Sequence, residues 1–224
     1  MSISRIPSGI KGLDALIEGG FPAPSVILVS GSAGSGKTTL AFQFLLEGAR
    51  RGEKGLYIST LSERTEWMLR FMSTYTFFDP KYLEDGTLIY EDIGKDLVDL
   101  DDMKIIIKIN EIIAEHTPQR IVIDPINVVN NYVDNYRQFL FELVTLLKNW
   151  SAVTLLTGEV KEGQKYPEDV AYTADGIISL IMKNEGDIIK RYVQILKMRG
   201  TKHSMSNHPL EITEDGIEVL KARF

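Results

Sequence analysis

Apolar residues recur in two rhythms along the chain, and the alternation of those rhythms predicts its elements. Val26-Ile27-Leu28-Val29 is a short β-branched run that ends at a Gly-rich turn, the pattern of a buried strand. Residues 37–51 follow with Leu40, Phe44, Leu45 and Gly48 at helical spacing, and Gly52 ends the helix. The same alternation continues: a strand at Leu56-Tyr57-Ile58-Ser59, and a helix over 63–74 with Trp67, Met68 and Phe71 on one side. A strand at Leu88-Ile89-Tyr90 comes next, then a helix over 100–116 carrying Met103, Ile106, Ile107 and Ile113. Ile121-Val122-Ile123 runs as a strand into Asp124. Residues 136–150 place Phe139, Leu140, Leu143, Leu146 and Leu147 on one face of an amphipathic helix, and Val153-Thr154-Leu155-Leu156 is a further strand.

After Gly158 the rhythm changes. Residues 177–181, 192–198, 210–212 and 217–220 read as consecutive strands, with hairpin turns at 184–187 and 214–216. Strand–helix alternation followed by hairpins predicts an α/β fold: a mostly parallel central sheet, helices on both faces, and a C-terminal antiparallel extension. No repeat, low-complexity segment or linker interrupts the pattern. Residues 1–224 therefore read as a single domain, with residues 1–24 as a lead-in.

Composition narrows the setting. The 224 residues are 44% apolar and 25% charged, ordinary for a soluble globular chain, and suffice for one substantial core. No apolar run approaches the roughly 18 residues of a membrane span, and the N-terminus carries no export pattern. With no cysteine, disulfides and thiolate-bound zinc are excluded, and a cytoplasmic location is expected. The net charge of −6 argues against a general polyanion binder.

Gly31-Ser32-Ala33-Gly34-Ser35-Gly36-Lys37-Thr38 matches G-x-x-x-x-G-K-[ST] in full, between a strand and a helix. Small residues let the backbone curl around a phosphate with its N–H groups inward, and the new helix adds its positive dipole end. Lys37 is placed to reach the β- and γ-phosphates of ATP, and the Thr38 hydroxyl to ligate Mg²⁺; Thr39 extends the binding set. Asp124, at the carboxyl end of its strand, is the second expected Mg²⁺ residue. Glu63, just past the strand at 56–59, either polarises the attacking water or stabilises the start of a helix. Lys197-Met198-Arg199 directs two cations to one face of a strand, which suits a finger aimed at a phosphate or a solvated edge. His116, His203 and His208 lack metal-ligand spacing, and Tyr75-Thr76-Phe77-Phe78 reads as packing.

Taken together these residues resemble the KaiC-like ATPase domains of the RecA superfamily. The likeness runs through Ile6-Pro7-Ser8-Gly9-Ile10-Lys11-Gly12-Leu13-Asp14, Gly19-Gly20-Phe21-Pro22, the P-loop, Gln43-Phe44-Leu45, residues 120–124 and Ala174-Asp175-Gly176. It is sharpest at Lys197-Met198-Arg199-Gly200-Thr201-Lys202-His203. The resemblance implies a RecA-like fold and a hexameric ring with ATP at subunit interfaces. It also implies that Lys197, Arg199 and His203 serve the neighbouring subunit's nucleotide. Two departures stand out. Leu61 and Ser62 occupy the positions of the family's two water-activating glutamates, leaving Glu63 one step later, and Pro125 follows the strand-end acid.

Three functions compete: a slowly hydrolysing regulatory ring with an unidentified protein partner, a DNA-acting motor related to RecA and RadA, and a non-hydrolysing ATP sensor. The loop over 125–136 has no Lys or Arg, and that over 158–170 has only Lys161 and Lys165, which disfavours nucleic acid.

Overall fold

The computed structural model describes residues 3–62, 65–160 and 164–220. In chain order the strands and helices are β1 (Ser4–Ile6), β2 (Phe21–Ala23), β3 (Ser25–Gly31), α1 (Lys37–Arg50), β4 (Gly55–Ser59) and α2 (Thr65–Met72). They continue with α3 (Lys81–Glu84), β5 (Leu88–Asp92), α4 (Asp102–His116), β6 (Arg120–Asp124), α5 (Tyr136–Asn149) and β7 (Val153–Glu159). The chain then runs through α6 (Glu168–Thr173), β8 (Gly176–Glu185), β9 (Ile188–Met198), β10 (His208–Thr213) and β11 (Gly216–Val219).

Nine strands form one sheet in the order β11-β10-β9-β8-β3-β7-β6-β4-β5. The block from β8 through β3, β7, β6 and β4 to β5 is parallel, whereas β9, β10 and β11 add on antiparallel. Strand β3 lies at the centre with all seven residues buried, which explains its unbroken apolar run. Side chains alternate across it. Ile27 and Val29 pack with α1, the lead-in and the β9–β11 strands, while Val26 and Leu28 pack with α4, α5 and α6. Among the described residues, no helix is long and apolar enough to cross a membrane.

The sequence-level elements recur with small shifts. The helix expected over 63–74 is described from Thr65 to Met72, and Glu63 lies outside the described residues. The lead-in is more ordered than its sequence suggests: β1 pairs with β2, and Arg5 donates to the Ile17 and Gly20 carbonyls and to the Thr201 hydroxyl, each at 3.1 Å. The aromatic stretch packs as expected, with Tyr75 stacked on Phe77 at 5.0 Å between centroids. The edge-strand alternative for Lys197 and Arg199 stays open: among the described residues β10 pairs with β9 only at residues 191–193, Lys197 pairs with Ile177 of β8, and Arg199 follows the end of β9.

At the opposite end of the sheet from the P-loop, Arg120 begins β6 fully buried. Its Nε donates to Glu53 at 2.6 Å, and its Nη1 donates to the carbonyls of Pro7 and Phe44 at 2.8 Å each. A Cβ on Gly48 would lie 2.5 Å from Arg120 Cδ, so only glycine lets α1 pass the guanidinium.

Candidate nucleotide-binding site

The carboxyl ends of β3, β6 and β7 bring the chemistry together. Residues 31–36 turn from β3 into α1, with Ala33 and Gly34 exposed at the crest. Gly36 has φ +104°, left-handed backbone that disfavours a side chain, and a Cβ there would lie 2.7 Å from Ile212 Cδ1. The β10–β11 hairpin thus presses on the start of α1.

Lys37 Nζ donates to the Gly31 and Ser32 carbonyls at 2.8 and 2.9 Å, arching over the loop's own backbone. Burial pulls the Lys37 pKa below the usual lysine value, while the charges of Glu159 and then Asp124 pull it back up. The Ser35 hydroxyl is buried and has no partner among the described residues. Ser32 Oγ lies 3.6 Å from Met182 Sδ, and Thr39 Oγ1 lies 3.3 Å from the Tyr75 hydroxyl. Thr39 therefore faces Tyr75.

Thr38 Oγ1 donates to Asp124 Oδ2 at 2.9 Å. The Tyr57 hydroxyl donates to the same oxygen, and Thr157 Oγ1 donates to Asp124 Oδ1. Tyr57 is fixed by stacking between Phe42, at 4.6 Å, and Tyr90, at 5.1 Å. Asp124, only 6% exposed, is thus a carboxylate aimed by three hydroxyls. These residues fit a Mg²⁺–nucleotide: an inward lysine, an orphaned hydroxyl within the loop, and a hydroxyl–carboxylate pair beside it. Among the described residues no cluster of three or more His, Cys, Asp or Glu offers an all-protein metal site.

Lys197, Arg199 and His203 lie elsewhere. Leu28 of β3 pairs with Ile177, and Ile177 pairs with Lys197, so Lys197 sits two strands away and at the level of Leu28, not of Gly31. Lys197 Nζ donates to the Ala171 and Ala174 carbonyls, and burial, then Arg199, lowers its pKa. Arg199 pairs with Asp175 at 3.1 Å, and its side chain is 60% exposed. Both cations line an open cavity of about 620 Å³ with Tyr166, Tyr172 and Leu196. His203 Nδ1 lies 3.4 Å from the Ser204 carbonyl, and Arg5 Nη2 donates to the Gly200 carbonyl at 3.3 Å.

Sequence reasoning missed Tyr57, read there as an interior strand residue, and Thr157, which follows the run over 153–156. It also missed Glu159, at the end of β7 and Cα-paired with Gly31. The available signal was period-2 alternation: 155, 157 and 159 share the face that carries α1.

A glycine-lined loop between the central strand and its helix, beside a strand-end acid, defines a P-loop nucleotide-binding protein with a RecA-like fold. The KaiC ATPase family model matches residues 6–223, and the chain belongs to that family. A KaiC-like protein of Pyrococcus horikoshii shares the fold with a TM-score of 0.88 and 33% identity, over 98% of this chain and all of that one. A UPF0273 protein of Pyrococcus furiosus is 29% identical over 97% of this chain and 94% of its own length. The circadian clock oscillator protein KaiC of Synechococcus elongatus is 30% identical over 97% of this chain but only 44% of its own length.

Proposed function

We propose that this protein is a Mg²⁺-dependent ATPase of slow turnover that assembles into a ring and acts through nucleotide-dependent conformation. The contact between Thr38 and Asp124, beside a P-loop lysine turned inward, carries the reading. Lys37 and the loop N–H groups bind the β- and γ-phosphates; Thr38 and Asp124 hold Mg²⁺. When bound, the metal neutralises phosphate charge and orients the γ-phosphate for attack. Leu61 and Ser62, at the positions of the family's glutamate pair, support slow hydrolysis.

The cations at the end of β9 and just past it support assembly. Register holds Lys197 away from its own P-loop, Arg199 follows it into the pair with Asp175, and the cavity beside them opens outward, as a finger for a neighbour's nucleotide requires. Nucleic acid is disfavoured: the described part of the loop over 158–170 sets Glu159, Glu168 and Asp169 against Lys165, and Lys161 lies outside the described residues.

The test mixes Lys37→Ala and Arg199→Ala subunits. A ring with shared sites regains turnover, because some interfaces pair an intact P-loop with an intact finger. Mixed rings that form without recovering turnover contradict the shared site, and strong stimulation by single-stranded DNA contradicts the regulatory reading.

A further inference from the structure

Two carboxylates, Asp124 and Glu159, stand at the carboxyl ends of β6 and β7, and their surroundings differ. Asp124 is buried and accepts hydrogen bonds from three hydroxyls through both oxygens. Glu159 is exposed, and its carboxylate has no hydrogen bond or ion pair among the described residues. Yet Glu159 is held in place through its backbone. Its N–H donates to Asn127 Oδ1 at 2.8 Å, and the next N–H, of Val160, donates to the Gly31 carbonyl at 3.3 Å. Its Cα partner across the sheet is Gly31, the first residue of the P-loop.

Strand alternation fixes its side. Val153 and Leu155 join the core under α1, and Thr157 reaches Asp124, so Glu159 continues that face toward the P-loop. By contrast, Leu61 and Ser62 follow β4, three strands from β3, and supply no carboxylate.

We propose that Glu159 is the general base that activates the attacking water, in place of the glutamate pair whose positions hold Leu61 and Ser62. This rests on the reading that the protein hydrolyses ATP. Carboxylates with separated environments take separated roles: a fully hydrogen-bonded one orients, and an unencumbered one accepts a proton. In the step, the Glu159 carboxylate takes a proton from water as the water oxygen bonds to the γ-phosphorus. The bond from that phosphorus to the β–γ bridging oxygen breaks, and ADP leaves with the electron pair.

The experiment uses the full chain and three proteins: wild type, Glu159→Gln and Glu159→Asp. It measures ATP affinity, steady-state turnover, and the ATP-to-ADP ratio of bound nucleotide after a single-turnover incubation. The exposed side chain makes either substitution compatible with folding. Glu159→Gln is expected to lose about 100-fold or more in turnover, to keep ATP affinity within about threefold, and to retain uncleaved ATP. Glu159→Asp, with its carboxylate one methylene short, recovers part of the loss. Glu159→Gln turnover within about threefold of wild type overturns the base while leaving hydrolysis standing. A loss matched by an equal loss of ATP affinity also overturns it, since Glu159 then only shapes the loop. Wild type that binds ATP and never cleaves it overturns both the base and the hydrolysis reading.

Discussion

Replacing Arg120 with methionine tests how the far end of the sheet is held. The guanidinium has four attachments: Glu53, the carbonyls of Pro7 and Phe44, and the Phe44 ring 4.7 Å from its carbon. They are not equal. The Phe44 carbonyl belongs to α1 and keeps its helical partner, and the Glu53 side chain, 28% exposed, can turn to water. The Pro7 carbonyl loses its donor, at about 1–3 kcal/mol, and the ring contact adds about 1 kcal/mol. Relief from burying a guanidinium offsets part of this, and methionine refills most of the volume. The net loss is about 2 kcal/mol, which for a domain of this size lowers Tm by about 4–8 °C. Thermal unfolding without nucleotide, followed by circular dichroism, reads the shift. ATP affinity should stay unchanged, because Arg120 lies at the opposite end of β6 from Asp124. A Tm within about 2 °C of wild type would refute the clamp.

Gly36→Ala forces a side chain onto left-handed backbone and into Ile212; fluorescence titration should show ATP binding reduced at least about tenfold, with a stability loss of about 1–3 kcal/mol. Thr38→Val keeps the shape and removes the hydroxyl on Asp124; nucleotide binding should survive while the Mg²⁺ concentration needed for half-maximal turnover rises about tenfold or more. Burial lowers the Lys37 pKa, so its ammonium is lost earlier than an ordinary lysine's as pH rises. ATP affinity should therefore weaken from neutral pH to about pH 10, whereas the nucleotide-free fold gains stability between the folded and unfolded pKa values, where the unfolded chain binds more protons. Affinity that stays flat across that range counts against an ammonium contact to phosphate.

Features set by local chemistry were legible in the sequence. The P-loop announces itself because its backbone path demands small residues, as Gly34 and Gly36, both at positive φ, show. Asp124 was legible because strand ends in such sheets collect ligands, and the hairpins at 184–187 and 214–216 because their turns need glycine. Tyr57 was not, since an aromatic in an apolar run reads as packing until a tertiary neighbour shows where its hydroxyl goes. Glu159 was hidden similarly: its place beside Gly31 depends on β7 pairing with β3, a contact between residues far apart in sequence. The reach of Arg5 to Gly200 and Thr201, which ties the lead-in to the Lys197–His203 segment, likewise exists only once the sheet has closed.

The account centres on ATP held by Lys37 over a P-loop, and equilibrium binding of a fluorescent ATP analogue to wild type and Lys37→Ala, with and without Mg²⁺, tests it most directly. Saturable binding that Mg²⁺ tightens in wild type, and that falls about 100-fold or more in the variant, is the predicted result. Equal binding by both proteins, or none by wild type, would contradict it.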